Sequence, residues 1–217
     1  GGGLVPYTSN LQYVDDCFKV LREQIKLSQI WQNEDMKSSG ADHTQNPWEK
    51  SKVPLENKHE LEAKIKINQT RIDHRLRLTE AAAKTNPKVS MPSIHELARH
   101  CNLDRFEHGV VVLLIAHSVA PMIRSLYSSG HDIRGSDLRV KQCLTFFCAT
   151  FKEQVEMRPA FYKTSRLVKS GVVKVTTPSW STSELGECSV TLDRHTLETA
   201  LGLQTEISEV VQGSNMY

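Results

Sequence analysis

Hydrophobic residues between positions 9 and 33 recur three or four apart, at Leu11, Val14, Phe18, Leu21 and Ile25. That spacing puts them on one stripe of an amphipathic helix. Asp15, Lys19, Arg22 and Lys26 fall on the other side, and Ser9 or Asn10 can cap the start. A second periodic stretch predicts a helix from Glu56 to Lys84, with Leu61, Ile65, Ile72, Leu76 and Thr79 as a narrower stripe. Glu62, Lys64, Lys66, Arg71, Arg75 and Arg77 crowd the rest and read as a solvated face. Two such stripes are expected to pack as an antiparallel hairpin or short coiled coil. Residues 34–55 contain Ser38-Ser39-Gly40, Asn46-Pro47 and Pro54, the composition of a flexible loop.

Asn86-Pro87 and Met91-Pro92 then interrupt the chain and mark a boundary near residues 85–92. Ser93 and Glu96 have the spacing of a capping box for a short helix with Ile94, Leu97 and Ala98 inward. The next helix starts at Asn102 or Asp104 and runs through Phe106 and Val110 to His117. Its apolar run from Val110 to Ala116 also suits a buried strand. The lead-in from Asp104 to His108 has helical character and no turn, so a helix is expected, with Gly109 its weak point. Pro121 opens a further helix through Ile123, Leu126 and Tyr127, and residues 128–132 form a turn. Ser136 or Asp137 is expected to cap a helix facing Leu138, Val140, Leu144, Phe147 and Phe151 inward.

From Arg158 the pattern predicts a basic helix that ends at Gly171, where a left-handed conformation stops it. Val172, Val173 and Val175 supply a strand, residues 177–183 a turn, and Cys188 to Leu192 a second strand. Asp193 caps a last helix, Arg194 to Leu201, stopped by Gly202. Helix, glycine, strand, loop, strand is how a winged helix-turn-helix ends. The expected fold is mainly α: a helical hairpin over residues 1–90, a winged helix with a small β-hairpin wing over 91–205, and a tail over 206–217.

Composition narrows the function. The 217 residues carry a formal net charge of +2, too little to demand a nucleic acid by bulk attraction. The five cysteines are an odd number without any CxxC pair, so buried free thiols in an intracellular protein are expected, and no zinc site. The longest apolar run is far too short to cross a bilayer, and no membrane partner is expected. Phosphate-cradling GxxxxGK[ST] is absent. His95-Glu96 and His100 lie at i and i+5, which point apart on a helix. Cys143 with His117 or His131 would need hydrogen-bond reach, and its setting beside Phe146 and Phe147 reads as core packing. Asp104 and Glu107 read as helix-start charges. No catalytic residue, cofactor or metal is expected in this segment.

The remaining candidate binding face is Lys163, Arg166, Lys169 and Lys174. The first three would share one face of the helix that enters a DNA groove in helix-turn-helix proteins, with Lys174 beside them on the wing. Such a face can meet phosphates, but only Arg166 is of a type that reads bases. A solvated face or an acidic protein partner is the stronger reading.

Several segments carry a likeness. They are Leu103-Asp104-Arg105-Phe106-Glu107, the apolar run that follows it, Pro121-Met122-Ile123 with Leu126-Tyr127, Phe161 to Val168, and Leu192-Asp193-Arg194 leading to Leu201-Gly202. With these, roughly half of the chain resembles the winged-helix domain that precedes the ATPase core in a bacterial-type group of AAA proteins. Where that group carries a leucine-rich acidic helix ending Glu-Leu-Asp, this chain reads His117-Ser118-Val119-Ala120. The resemblance implies a non-catalytic region that docks a substrate, a protein partner or an ATPase ring in cis, with the core beyond Tyr217. A nucleic-acid-binding winged helix is the alternative. Oligomeric state is not legible in the sequence.

Overall fold

The computed structural model describes residues 3–38, 57–128, 136–179 and 184–203. Two long helices, α1 (Asn10–Ser38) and α2 (Lys58–Thr85), pack side by side. Residues 34–38, expected to be loop, are instead the end of α1, because the helix continues past its last buried turn. The rest of that expected loop, the 129–132 and 180–183 parts of the expected turns and the 206–217 tail lie outside the described residues. On α1, Val14, Leu21 and Ile25 are buried as their spacing predicts, whereas Leu11 is exposed. Tyr13, Asp16, Cys17 and Ser28 are buried instead. The reason is that α1 is covered from two sides, by α2 and by the helices that follow, so its buried surface is wider than one stripe.

The α1–α2 seam overturns the reading of Arg75 as part of a solvated face. Arg75 is buried, its Nη1–H donating to Asp16 Oδ2 (2.9 Å), its Nη2–H to Gln12 Oε1 (3.1 Å) and its Nε–H to Val5 O (3.0 Å). Its guanidinium lies 4.0 Å over the Tyr7 ring, and the Tyr7 hydroxyl donates to Asp16 (2.9 Å). Burial opposes ionisation of Asp16, but the bonds from Tyr7 and Arg75 outweigh it and hold the carboxyl below its ordinary range. The segment before α1 is tied down by the same group, since Tyr7 N–H donates to Thr79 Oγ1 (2.8 Å).

Helix α3 (Ser93–His100) begins without the expected capping box. Asn10 takes over the role, its Oδ1 accepting from Ser93 N–H (2.8 Å), while Glu96 pairs with Arg99 (2.9 Å). A full box forms one helix later. Asp104 Oδ1 accepts from Glu107 N–H (2.8 Å) and Glu107 Oε1 from Asp104 N–H (3.1 Å), opening α4 (Arg105–Val119). The run Val110–Ala116 is helical and wholly buried. It packs against α1, α5 (Pro121–Arg124), α6 (Val140–Phe147) and strand β3 (Ser189–Leu192). Gly109 is needed there: a Cβ at that position would sit 2.9 Å from the Phe147 ring.

After α5 comes a short strand, β1 (Leu138–Arg139), where a helix start was expected. Leu138 is drawn into an antiparallel pairing with Val190, so α6 (Val140–Phe147) begins only after it. A new helix, α7 (Phe151–Met157), follows, which leaves Phe151 exposed and not inward. The basic helix expected from Arg158 to Gly171 is broken in two. Residues Arg158–Phe161 form a 3-10 turn, and α8 is only Arg166–Lys169. Ser165 causes the break, donating to Ala160 O (2.6 Å) and accepting from Val168 N–H (3.2 Å) as a fresh cap.

Gly171 adopts the left-handed conformation expected of it (φ 80°) and leads into β2 (Val173–Thr176). This pairs antiparallel with β3 (Ser189–Leu192), giving sheet order β1-β3-β2. Asp193 caps α9 (Arg194–Ala200) as predicted, and Gly202 follows at φ 77°. One apolar core runs from Tyr7 to Ala200. All five cysteines are free. The order α4, β1, α6, α7, β2, β3 makes a winged helix, as the sequence predicted, with β1 added to the expected β-hairpin to give a three-stranded sheet.

Candidate protein-docking face on the helix-turn-helix

Cys148, Ala149 and Thr150 join α6 to α7 as a three-residue turn, which is the helix-turn-helix element of this chain. By that spacing its second helix is α7, and Lys163 lies in the turn between the 3-10 turn and α8. The turn is fixed by two bonds. Thr150 Oγ1 accepts from Glu153 N–H (3.2 Å), and Glu153 Oε2 accepts from Ala149 N–H (2.7 Å).

No residue of α7 is buried. Phe151 is 83% exposed and Val155 48%, and their i, i+4 spacing places both on one face. Tyr162, just beyond the 3-10 turn, is also 48% exposed. Lys152 reaches Glu156 (3.8 Å). With one lysine and two glutamates, the formal charge of α7 is −1. Gln154, one turn from Phe151, lines an open groove of about 690 Å³ between α1 and α6. Gln29 and Gln32 of α1, with Gln142 and Thr145 of α6, form its walls.

The sequence-predicted binding residues do not share a helical face. Lys163 is exposed in the turn before α8, Lys169 is exposed at the end of α8, and Lys174 is exposed on β2. Arg166, at the start of α8, turns toward the cap of α4. Its Nε–H donates to Glu107 Oε1 (2.6 Å) and its Nη2–H to Asp104 Oδ2 (3.2 Å). The bond to Glu107, with the charge of both carboxylates, holds the guanidinium proton more tightly than usual. Asp104 and Glu107 thus cap a helix and also carry Arg166.

At the root of the wing, Glu187 bonds Lys141 (2.6 Å) and Arg139, and Lys141 above all keeps its carboxyl below the ordinary range. Glu184 is held in the same way by Arg158 (2.7 Å). The other candidates fall into structural roles. Cys143 is buried and its thiol is pushed up to about 12 by burial. His117 Nε2 must donate to Ser136 O (2.9 Å), because a carbonyl only accepts; its Nδ1 then accepts from Tyr127 Oη (2.7 Å). His131 lies outside the described residues. His95 packs edge-on against Tyr13, and His100 is exposed. Among the described residues no cluster of three or more His, Cys, Asp or Glu could hold a metal, and no helix is long and apolar enough to cross a membrane.

Sequence reasoning missed α7 as a surface element. The signal was present: Thr150-Phe151-Lys152-Glu153 has the capping-box spacing and announces a helix start. The hydrophobic phase of α6 carries through to Phe151 and hides it. No curated protein and no solved structure matches the chain. The family described as winged helix domain, variant, matches residues 1–214, and with the α4–β3 topology above, the chain belongs to that family.

Proposed function

We propose that this chain is a non-catalytic, protein-binding regulatory region that works with an AAA ATPase core in cis, and that α7 is its docking helix. A winged helix in general serves regulation or nucleic-acid binding, and α7 supports the first reading. The carrying observation is that the most exposed helix of the helix-turn-helix presents Phe151 and Val155 with a formal charge of −1. An exposed aromatic on a rigid, capped helix suits a protein surface. A negative helix repels phosphates, which dominate nucleic-acid affinity.

The AAA partner comes from the resemblance of the Leu103–Glu107 and Leu192–Gly202 segments. Calorimetric titration of the chain against that core, supplied as a separate polypeptide, tests it. Saturable binding that Phe151→Asp with Val155→Asp abolishes is expected. Binding that ignores both substitutions, or no binding at all, would refute the reading. The second reading, nucleic-acid binding through Lys163, Lys169 and Lys174, is favoured only by their exposure.

A further inference from the structure

We infer that the groove beside α7 takes an extended, uncharged peptide segment of the protein partner; this rests on the docking reading above and names what is docked. Its walls present four glutamines, Gln29, Gln32, Gln142 and Gln154. A primary amide carries a carbonyl acceptor and two N–H donors, the same chemistry as a peptide backbone. Two of these amides are already oriented. Gln29 Nε2–H donates to Leu126 O (2.7 Å), and Gln142 Oε1 accepts from Arg139 N–H (2.8 Å). Each bond fixes which end of the amide points the other way.

The electrostatics narrow the occupant further. Among the described residues Lys141 is the one charged member of the lining, and its Nζ–H donates to Glu187 Oε1 (2.6 Å). A phosphate or carboxylate entering the groove would compete with that carboxylate for Lys141. An uncharged peptide has no such competition. Conformation follows from the same inventory. A helical segment satisfies its backbone groups internally and offers none to glutamines. An extended or polyproline-like segment leaves them open. Phe146, with Leu126 and Tyr127, gives the groove an apolar floor that offers a seat for one apolar side chain of the segment.

Panning a random-peptide phage library against the whole chain tests this, with Gln32→Ala/Gln154→Ala as the comparison protein. Enriched peptides are expected to be uncharged, to tolerate proline, and to carry an apolar anchor. Loss of two hydrogen bonds should weaken them about tenfold in fluorescence anisotropy, with the melting temperature of the variant unchanged. N-methylation of a central backbone nitrogen should weaken them as well. Enrichment of charged or amphipathic-helical peptides, enriched peptides insensitive to the glutamine substitutions, or no enrichment would each overturn the inference. The library contains no ATPase core. Loss of core binding in the Phe151/Val155 variant, together with an indifferent groove, would therefore sink this inference and leave the proposed function standing.

Discussion

Arg75 and Phe151 occupy each other's customary places. A guanidinium lies in the seam between α1 and α2, and an aromatic ring stands 83% exposed on α7. The seam shows what lets a charge stay buried: Asp16, Gln12 and Val5 O take its N–H groups, and Tyr7 covers its face. The ring on α7 has no comparable reason internal to the fold. Its helix is capped and aligned without it, so its exposure contributes little to stability, and the proposed docking gives it a use. The seam holds the molecule together and α7 faces outward, and substitutions should separate the two.

The largest effect belongs to the seam. Arg75→Ala leaves the buried Asp16 carboxylate only the longer contact to Lys19 (3.4 Å) as a counter-ion and should cost about 3 kcal/mol in urea unfolding. A loss below about 1 kcal/mol would mean that the seam is held by its apolar residues alone. Next comes a pH effect in the same part of the core. His108 is buried and bonded to the Tyr13 hydroxyl (2.9 Å), and burial lowers its pKa from 6.5 to about 4. The unfolded chain therefore binds the extra proton between those values. Stability should be full above pH 6.5 and fall by about 3 kcal/mol as pH drops toward 4. Asp16, also depressed, adds a further loss below its ordinary 3.8. His108→Gln should flatten the dependence between pH 6.5 and 4.

Gly109→Ala gains about 1 kcal/mol of helix propensity but drives a methyl against Phe147. Overpacking of this kind costs about 1–3 kcal/mol, so a net loss of about 1 kcal/mol is expected in thermal unfolding. The smallest effect on stability is that of Phe151→Asp with Val155→Asp, within about 0.5 kcal/mol of wild type, although docking is abolished. A large destabilisation by that pair would place α7 in the core after all and erase the contrast.

Much of this fold was legible because its signals are local. The heptad-like stripe of α2, the capping acid at Asp104, and glycines at the ends of α8 and α9 each act within a turn or two of their own position. The wing follows from Gly171 and the valines after it in the same way. What stayed hidden depends on residues far apart in sequence. Arg75 reads as surface until Asp16 and Tyr7 arrive from the other side of the seam. Leu138 reads as helical until Val190 pairs with it. Asn10 displaces Ser93 as the cap of α3 from more than eighty residues away. The candidate site was hidden differently, since α6 and α7 are nearly in phase and read as one helix. The basic residues that drew attention are real and exposed, but a serine cap divides their helix and Arg166 turns back to α4.

The helix-turn-helix faces either protein or phosphate. Fluorescence anisotropy of a labelled duplex, titrated with the chain at 50 mM and again at about 200 mM salt, asks this directly. Weak binding is predicted at both, with little salt dependence and no change on charge reversal at Lys163, Lys169 and Lys174. Tight binding at low salt that collapses at high salt, and disappears with those charges, would contradict it.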